Sequence, residues 1–219
     1  MKVFSNDIDL LRYEPALFAG SSFAGQTLCR GVNGQLSGTT LTAAGENFVS
    51  EQVAPGHVVY LSDGVGNIDG AFEIVSVDSA TQLTVSVLRA DRDGNPVAVG
   101  VGANLFYRIG TFDAIAGRVF FSLTAMLGMQ PGLANSPYTL DDLLDAEVLR
   151  EVSTLMCLER IYTGLYRVEE TDGIYLEKRT HFRRLAEKTK TQTIVRFDLD
   201  NDDIYERSLC GGYASLIRE

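Results

Sequence analysis

Aspartates at alternate positions form the sharpest chemical motif of the chain. Asp198, Asp200 and Asp202 are followed directly by Asp203. Carboxylates at this spacing are typical of a calcium loop, but a loop of the EF-hand type needs glycine at its sixth position and glutamate at its twelfth. Those positions hold Asp203 and Leu209. The three alternating aspartates are therefore weak metal candidates, and the pattern favours an Asp-rich turn whose side chains bond nearby backbone N–H groups.

Few other side chains are spaced for catalysis. The only histidines are His57, which opens a predicted strand, and His181, which lies in a predicted basic helix, so a zinc site with both is not expected. Cys157 and His181 lie on neighbouring predicted helices and have the chemistry of a nucleophile and a base. However, Cys157 stands between Met156 and Leu158 and has no orienting third group. We therefore predict a packed thiol, no catalytic residue, no cofactor and no enzymatic activity.

Charge is acidic overall and unevenly distributed. The formal net charge of −10 argues against a broadly basic face for nucleic acid. A basic stretch that contains Arg183, Arg184 and Lys188 is followed by an acidic stretch from Asp198 to Glu206. Adjacent patches of opposite sign suit a protein that docks against copies of itself, whereas the alternative interpretation is a solvated helix face beside a polar turn. No apolar run approaches the roughly 20 residues of a membrane span, so no membrane partner is expected.

The elements that must position these residues change in character near Thr111. From Gln26 to Gly110, short alternating runs stand between glycine-rich turns and predict a small antiparallel barrel or sandwich. The clearest strands are predicted over residues 57–62, 71–77 and 82–88, with a last one over 104–109. Turn signals separate them at Pro55-Gly56, Asp63-Gly64, Asp69-Gly70 and Asp93-Gly94.

Helical spacing of apolar residues dominates the remainder. A helix is predicted from Phe112 to Leu127, with Gly128 as its end. Thr139 and Asp142 form a capping-box-like pair that predicts the start of the longest helix. A basic helix over residues 174–189 and an edge strand over 192–199 follow, and an extended arm is predicted from 203 to 219.

The pattern as a whole predicts an α+β fold in two parts. Residues 1–25 and 111–219 are expected to form a helical-bundle frame with a carboxy-terminal strand and an extended C-terminal arm. A short helix over residues 7–18, limited by Pro15, belongs to this frame. Residues 26–110 are expected to form the inserted antiparallel β-barrel or sandwich module.

The order of these elements resembles that of the head–tail connector (adaptor) proteins of tailed bacteriophages. The resemblance is carried by the short first helix, the helix from Phe112 to Leu127, the long acid-capped helix, a basic helix ending Arg183-Arg184-Leu185, and a strand that runs into the aspartate-rich turn. It covers about residues 7–18 and 112–210. The β module departs from the minimal pattern of that family.

This resemblance implies a structural virion protein that forms a ring joining the capsid portal to the tail, with DNA only passing through the lumen. The implied partners are the chain itself, in a ring of roughly twelve copies to match a portal, then the portal protein and a tail or head-closure protein. The implied location is the virion neck, with the host cytoplasm during assembly. The expected interface residues are Arg183, Arg184, Lys188, Asp203, Ile204, Leu209, Tyr213 and Leu216.

Two alternatives remain open at this point. One is a head-closure or tail-completion protein of the phage neck, which predicts a similar ring one step further from the capsid. The other is a calcium- or ligand-binding module that uses Asp198, Asp200 and Asp202.

Overall fold

The structure is a computed structural model that describes residues 3–19, 26–133, 136, 138–168, 173–200, 202–210 and 213–215 of the chain. Within these residues the fold is mixed α/β, with five helices and nine strands, six of which close an antiparallel barrel. The chain divides into two units. We call Asn6–Phe112 the barrel unit, and we call Met1–Ser5 together with Asp113–Glu219 the helical unit.

The unit boundaries differ from the predicted ones, because the first helical segment belongs with the barrel. Two contacts join the residues that precede Asn6 to the helical unit. The ring of Phe4 packs against Phe120 at 5.0 Å between centroids, and the Ser5 hydroxyl bonds the Ser153 hydroxyl at 2.7 Å. The barrel unit is therefore one continuous insertion between two segments of the helical unit.

The first helical segment is interrupted at Pro15. Helix α1 spans Asp7–Tyr13 and helix α2 spans Ala16–Ala19. Asn6 and Asp9 cap α1 reciprocally, since each side chain accepts a hydrogen bond from the other residue's backbone N–H. Because proline lacks an N–H and its ring clashes with the preceding helical turn, the single helix predicted over residues 7–18 forms as two pieces.

The predicted small antiparallel module, a barrel or a sandwich, is confirmed and is a closed barrel. Its six strands are β1 (Thr27–Gly38), β2 (Thr40–Ala43), β3 (Val58–Ser62), β4 (Asp69–Ser79), β5 (Gln82–Ser86) and β6 (Gly100–Gly110). Strand β6 pairs with both β1 and β3, which closes the order β1-β2-β5-β4-β3-β6 and leaves no unpaired edge. Alternate side chains point inward, so Leu83 and Val85 of β5 are fully buried.

One predicted turn, Asp69-Gly70, is wrong. Both residues belong to the β3–β4 ladder, where Asp69 lies opposite Ser62. The connection is instead organised by Asp63, whose carboxylate accepts hydrogen bonds from the backbone of Val65, Gly66 and Asn67 at 2.9, 2.7 and 3.2 Å. An aspartate whose carboxylate accepts hydrogen bonds from backbone N–H groups two to four residues later commonly forms a turn. The turn predicted at Asp63-Gly64 therefore accounts for this connection by itself.

A buried ion pair holds the segment between β5 and β6. Glu73 of β4 is fully buried and accepts a hydrogen bond from the Arg89 guanidinium. Arg92 pairs with Asp9 of α1, and the Arg12 side chain donates to the Arg89 carbonyl at 2.5 Å. These contacts fasten an otherwise irregular connection to the barrel wall and to α1.

Three helices form most of the helical unit: α3 (Asp113–Met126), α4 (Val148–Val168) and α5 (Gly173–Gln192). Helix α3 ends at Met126, and Gly128 terminates it as predicted, since its φ of 77° allows Met129 N–H to bond the Thr124 carbonyl at 2.9 Å. Helix α4 contacts both α3 and α5, and Tyr162 stacks on Phe182 across the α4–α5 contact at 5.6 Å. No helix in the described ranges is long and apolar enough to cross a bilayer.

A second sheet joins these helices, so the predicted helical-bundle frame is not confirmed. Strands β7 (Ile194–Phe197), β8 (Arg207–Cys210) and β9 (Tyr213–Ser215) pair in that order and are antiparallel. The expected extended arm is wrong for the described residues after 206, because the chain turns back alongside β7. Leu209 lies opposite Val195, and both are buried.

The longest helix begins at Val148 and not at Thr139. The predicted local pair does form, since Thr139 N–H donates to the Asp142 carboxylate at 2.7 Å. The following residues instead pair with strand β7 and the residue after it: Leu143 bridges Phe197, and the backbone carbonyl of Asp142 accepts from Asp198 N–H at 2.9 Å. Pairing with β7 therefore overrides the local helix signal.

Candidate functional site

The hairpin between β7 and β8 brings four carboxylates together. Oxygens of Asp198, Asp200, Asp202 and Glu206 all lie within 4.8 Å of one another. We call residues 198–206 the acidic turn. Glu206 was not a metal candidate from the sequence, because it enters the cluster only through strand pairing, with its N–H donating to the Phe197 carbonyl at 3.1 Å.

Most of these carboxylates are already used by the turn's own backbone. Asp198, which is 6% exposed, accepts from the N–H groups of Asp202 and Asp203 at 3.3 and 2.9 Å. Asp202 accepts from Ile204 N–H at 2.9 Å, and Glu206 accepts from the backbone of residue 199 at 2.6 Å. The predicted Asp-rich turn with side chains bonded to backbone N–H groups is confirmed. A metal would have to compete with these bonds.

The electrostatics of the acidic turn favour the approach of a cation. Loss of solvation and the negative charges of Asp202, Glu206 and Asp198 raise the pKa of Asp200. Carboxylates held this close repel one another, so a metal ion or a basic side chain of a partner would relieve the repulsion. Asp203 has a φ of 65°, the left-handed conformation for which a calcium loop uses glycine.

The predicted interface residues differ in how exposed they are in the structure. Arg183, Arg184 and Lys188 are exposed on α5, while Phe182 and Ala186 form its buried face. Asp203 and Ile204 are exposed in the acidic turn, and 64% of Ile204 is accessible. Leu209 is 5% exposed and packs inside the helical unit, so it does not face a partner. The side chain of Tyr213 and the whole of Leu216 lie outside the described residues.

Of the histidine and cysteine candidates, Cys157 and His57 are buried and His181 is exposed. Cys157 is fully buried and its sulfur lies 3.8 Å from the Ser5 hydroxyl, which confirms the packed thiol. His57 is buried in the barrel unit, where its Nδ1 accepts from Ala54 N–H at 3.2 Å. His181 is exposed and touches the ring of Phe182 at 5.3 Å between centroids.

An open groove in the helical unit brings together three arginines whose convergence the sequence analysis did not predict. Its volume is about 520 Å³. Arg118 comes from α3, Arg160 from α4 and Arg179 from α5, so no linear spacing could have revealed them. Arg160 is held by a 2.7 Å bond to the Ser122 hydroxyl. We call this the arginine groove, and its lining residues are Ile115, Arg118, Glu159, Arg160, Thr163, Gly164 and Arg179.

Comparisons with known proteins assign no family to the chain. No protein-family model, no curated protein and no solved structure matches it. The functional argument therefore rests on the acidic turn, the exposed basic residues of α5 and the arginine groove.

Proposed function

We propose that this chain is a structural subunit of the phage neck, a head–tail adaptor that forms a ring between the capsid portal and the tail. One observation carries the proposal: the helical unit exposes a basic face on α5 and an acidic turn. Each copy thus offers both halves of a complementary pair. Head-to-tail contacts of this kind generate a ring when the rotation between copies closes.

Charge and buried apolar area would contribute differently to the association of the copies. Exposed ion pairs contribute about 0–1 kcal/mol each, so the charges set register and steer association. Most of the affinity must come from buried area. The helical unit has exposed apolar side chains that a neighbour would cover, among them Phe121, Leu176 and Ile204, which are 53%, 39% and 64% exposed.

The net charge of −10 also supports a conduit role. Fixed negative charge repels phosphates, so DNA would slide through the lumen without adhering. In this proposal the helical unit forms the frame of the ring and the barrel unit is the inserted module. The outer edge of β9, which no described strand covers, is suited to strand addition by the portal or a neighbouring copy.

The proposal is tested by the particle mass of the pure chain, alone and mixed with a phage portal protein. We expect a complex whose mass equals one portal plus a ring of this chain. Reversal of charge at Arg183 and Arg184 to glutamate should weaken the complex, whereas Arg30→Glu, an exposed arginine of the barrel unit, should not. A mixture in which portal and chain always migrate separately would refute the adaptor role.

A head-closure or tail-completion role remains the nearest alternative. Such a protein would form a similar ring but would ignore the bare portal. It would bind only after an adaptor ring is present, so the order of addition in the same mass measurement separates the two roles.

Calcium binding by the acidic turn is the competing function from another class. The convergence of Glu206 with the three aspartates favours it, and the backbone bonds that these carboxylates accept oppose it. A rise in melting temperature with calcium, lost in Asp200→Asn, would favour a binding module. Equal melting temperatures with and without calcium are expected for the adaptor.

A further inference from the structure

The arginine groove is the strongest unassigned feature of the molecule. It places guanidinium groups from three helices around one open space, with Glu159 as the single carboxylate in its lining. Among the described residues, neither Arg118 nor Arg179 forms an ion pair. A cluster of like charges left unpaired in a chain of net charge −10 indicates that an anionic partner approaches here.

Gly164 provides a second, independent indication. It lies inside helix α4, where glycine is less favourable than alanine because of its backbone entropy. A Cβ atom at this position would meet nothing within 4 Å, so packing within the subunit does not require glycine. The bare backbone instead leaves room in the lining of the groove for close approach by another chain.

The structure also contains a surface of matching chemistry. The acidic turn holds four carboxylates within 4.8 Å of one another, and those of Asp200, Asp202 and Glu206 are exposed. Arg–carboxylate pairs form strong bidentate hydrogen bonds. No described residue of the turn lines the groove of its own subunit. The turn therefore remains available to a different copy.

We propose that the arginine groove receives the acidic turn of a second copy of this chain. This inference rests on the proposed ring, because it names the lateral contact that joins its subunits. Arg183 lies one helical turn after Arg179 on α5 and extends the basic surface beyond the groove. Duplex DNA is the competing anion, but the net charge of the chain opposes its approach.

A charge exchange tests the contact with the full chain alone, by sedimentation at low salt up to millimolar concentration. We expect the wild type to self-associate. A groove variant, Arg118→Glu with Arg179→Glu, should associate about tenfold more weakly, and so should a turn variant, Asp200→Lys with Asp203→Lys. Mixing the two variants should restore association, because the reversed turn then fits the reversed groove.

Arg30→Glu is the matched control and should associate like the wild type. Failure of the mixture to recover, or a wild type that stays monomeric throughout, would overturn the inference. So would a groove variant that loses DNA binding but keeps self-association. Since no portal is present, loss of portal binding with an intact charge exchange would defeat the adaptor role and leave this contact standing.

Gly164→Ala supplies a readout that does not involve charge. Alanine should raise the melting temperature by about 3 °C, because it is the better helix former. It should also weaken self-association, because its methyl group occupies space in the lining of the groove. A more stable variant that associates as strongly as the wild type would contradict close approach at this position.

Discussion

The barrel unit and the helical unit use charge in opposite ways. In the barrel unit the buried carboxylates of Glu73 and Asp9 are paired internally with arginines of the β5–β6 connection. In the helical unit, two ion pairs are partly exposed and join residues three apart on the chain, Glu147 with Arg150 and Glu187 with Lys190. These two pairs of the barrel unit are therefore largely buried within its fold, whereas the two pairs of the helical unit lie nearer the surface.

Strand edges show the same contrast. All six barrel strands have two neighbours, so the barrel offers no edge for another chain. The sheet of the helical unit is open, because no described strand pairs with the outer side of β9. The proposed function places assembly in the helical unit, and the following variants are designed to break or refine this comparison between the two units.

The largest effect is expected from Glu73→Ala. Removing this carboxylate leaves the Arg89 guanidinium, whose side chain is 10% exposed, without its charge partner. Breaking one side of a buried pair costs about 3–5 kcal/mol. Urea denaturation should show a weakened barrel transition. Glu147→Ala, which removes an exposed pair, should cost under about 1 kcal/mol, and equal costs for both variants would break the comparison.

Gly31→Ala should destabilise the barrel unit by about 2 kcal/mol through overpacking. A Cβ atom there would lie 2.6 Å from the Cζ atom of Tyr107, whose side chain is fully buried. Thermal unfolding measures the loss. Gly164→Ala in the helical unit is the matched control and should stabilise by about 1 kcal/mol. Destabilisation by both substitutions would show that both glycines serve internal packing.

Asp198→Ala should cost about 1–2 kcal/mol, because the N–H groups of Asp202 and Asp203 lose their acceptor. Hydrogen exchange at these two amides should accelerate. Asp203→Gly is the control, since glycine adopts the left-handed φ of 65° without strain, and it should be neutral or slightly stabilising. Unchanged exchange in Asp198→Ala would show that the acidic turn does not depend on these bonds.

The last prediction concerns alkaline pH, and no loss of stability is expected below pH 9. Burial, followed by the charges of Glu46 and Glu51, raises the pKa of Cys29 from 9.0 to about 12. Below pH 9 the thiol is neutral in both the folded and the unfolded chain, so its contribution is fully present. Above pH 9 the unfolded chain ionises first, so stability should fall as the pH rises until the folded thiol ionises near pH 12.

The free energy of unfolding measured against pH checks this prediction, with Cys29→Ala as the comparison. The variant should lose less stability above pH 9 than the wild type. Parallel curves for the two proteins would show that Cys29 is no more protected when folded than when unfolded.

Local signals predicted part of the fold correctly. Strands β3 and β5, the end of α3 at Gly128 and the helix α5 follow from side-chain period and turn chemistry within short windows. Strand β1 was not predicted from the sequence, because its pairing with β6 contains register shifts between Thr27 and Cys29 and again after Gly31. Such irregularities interrupt the strict alternation on which strand prediction depends.

The candidate functional residues likewise include a part that the sequence predicted and a part that it did not. The Asp-rich turn was predictable because its hydrogen bonds join residues close in sequence. The arginine groove was not, because Arg118, Arg160 and Arg179 meet only when three helices pack together. The contribution of Glu206 likewise required the β7–β8 pairing.

The amino-acid sequence by itself determined the β-rich barrel region, most helix positions and the separation of basic from acidic stretches, since these depend on neighbours along the chain. Only the tertiary structure decided where α4 begins, that residues 207–210 and 213–215 return to the sheet, and which cations share a groove. The physical reason is that burial and strand pairing between distant segments outweigh the weak local preferences of Thr139 and its neighbours.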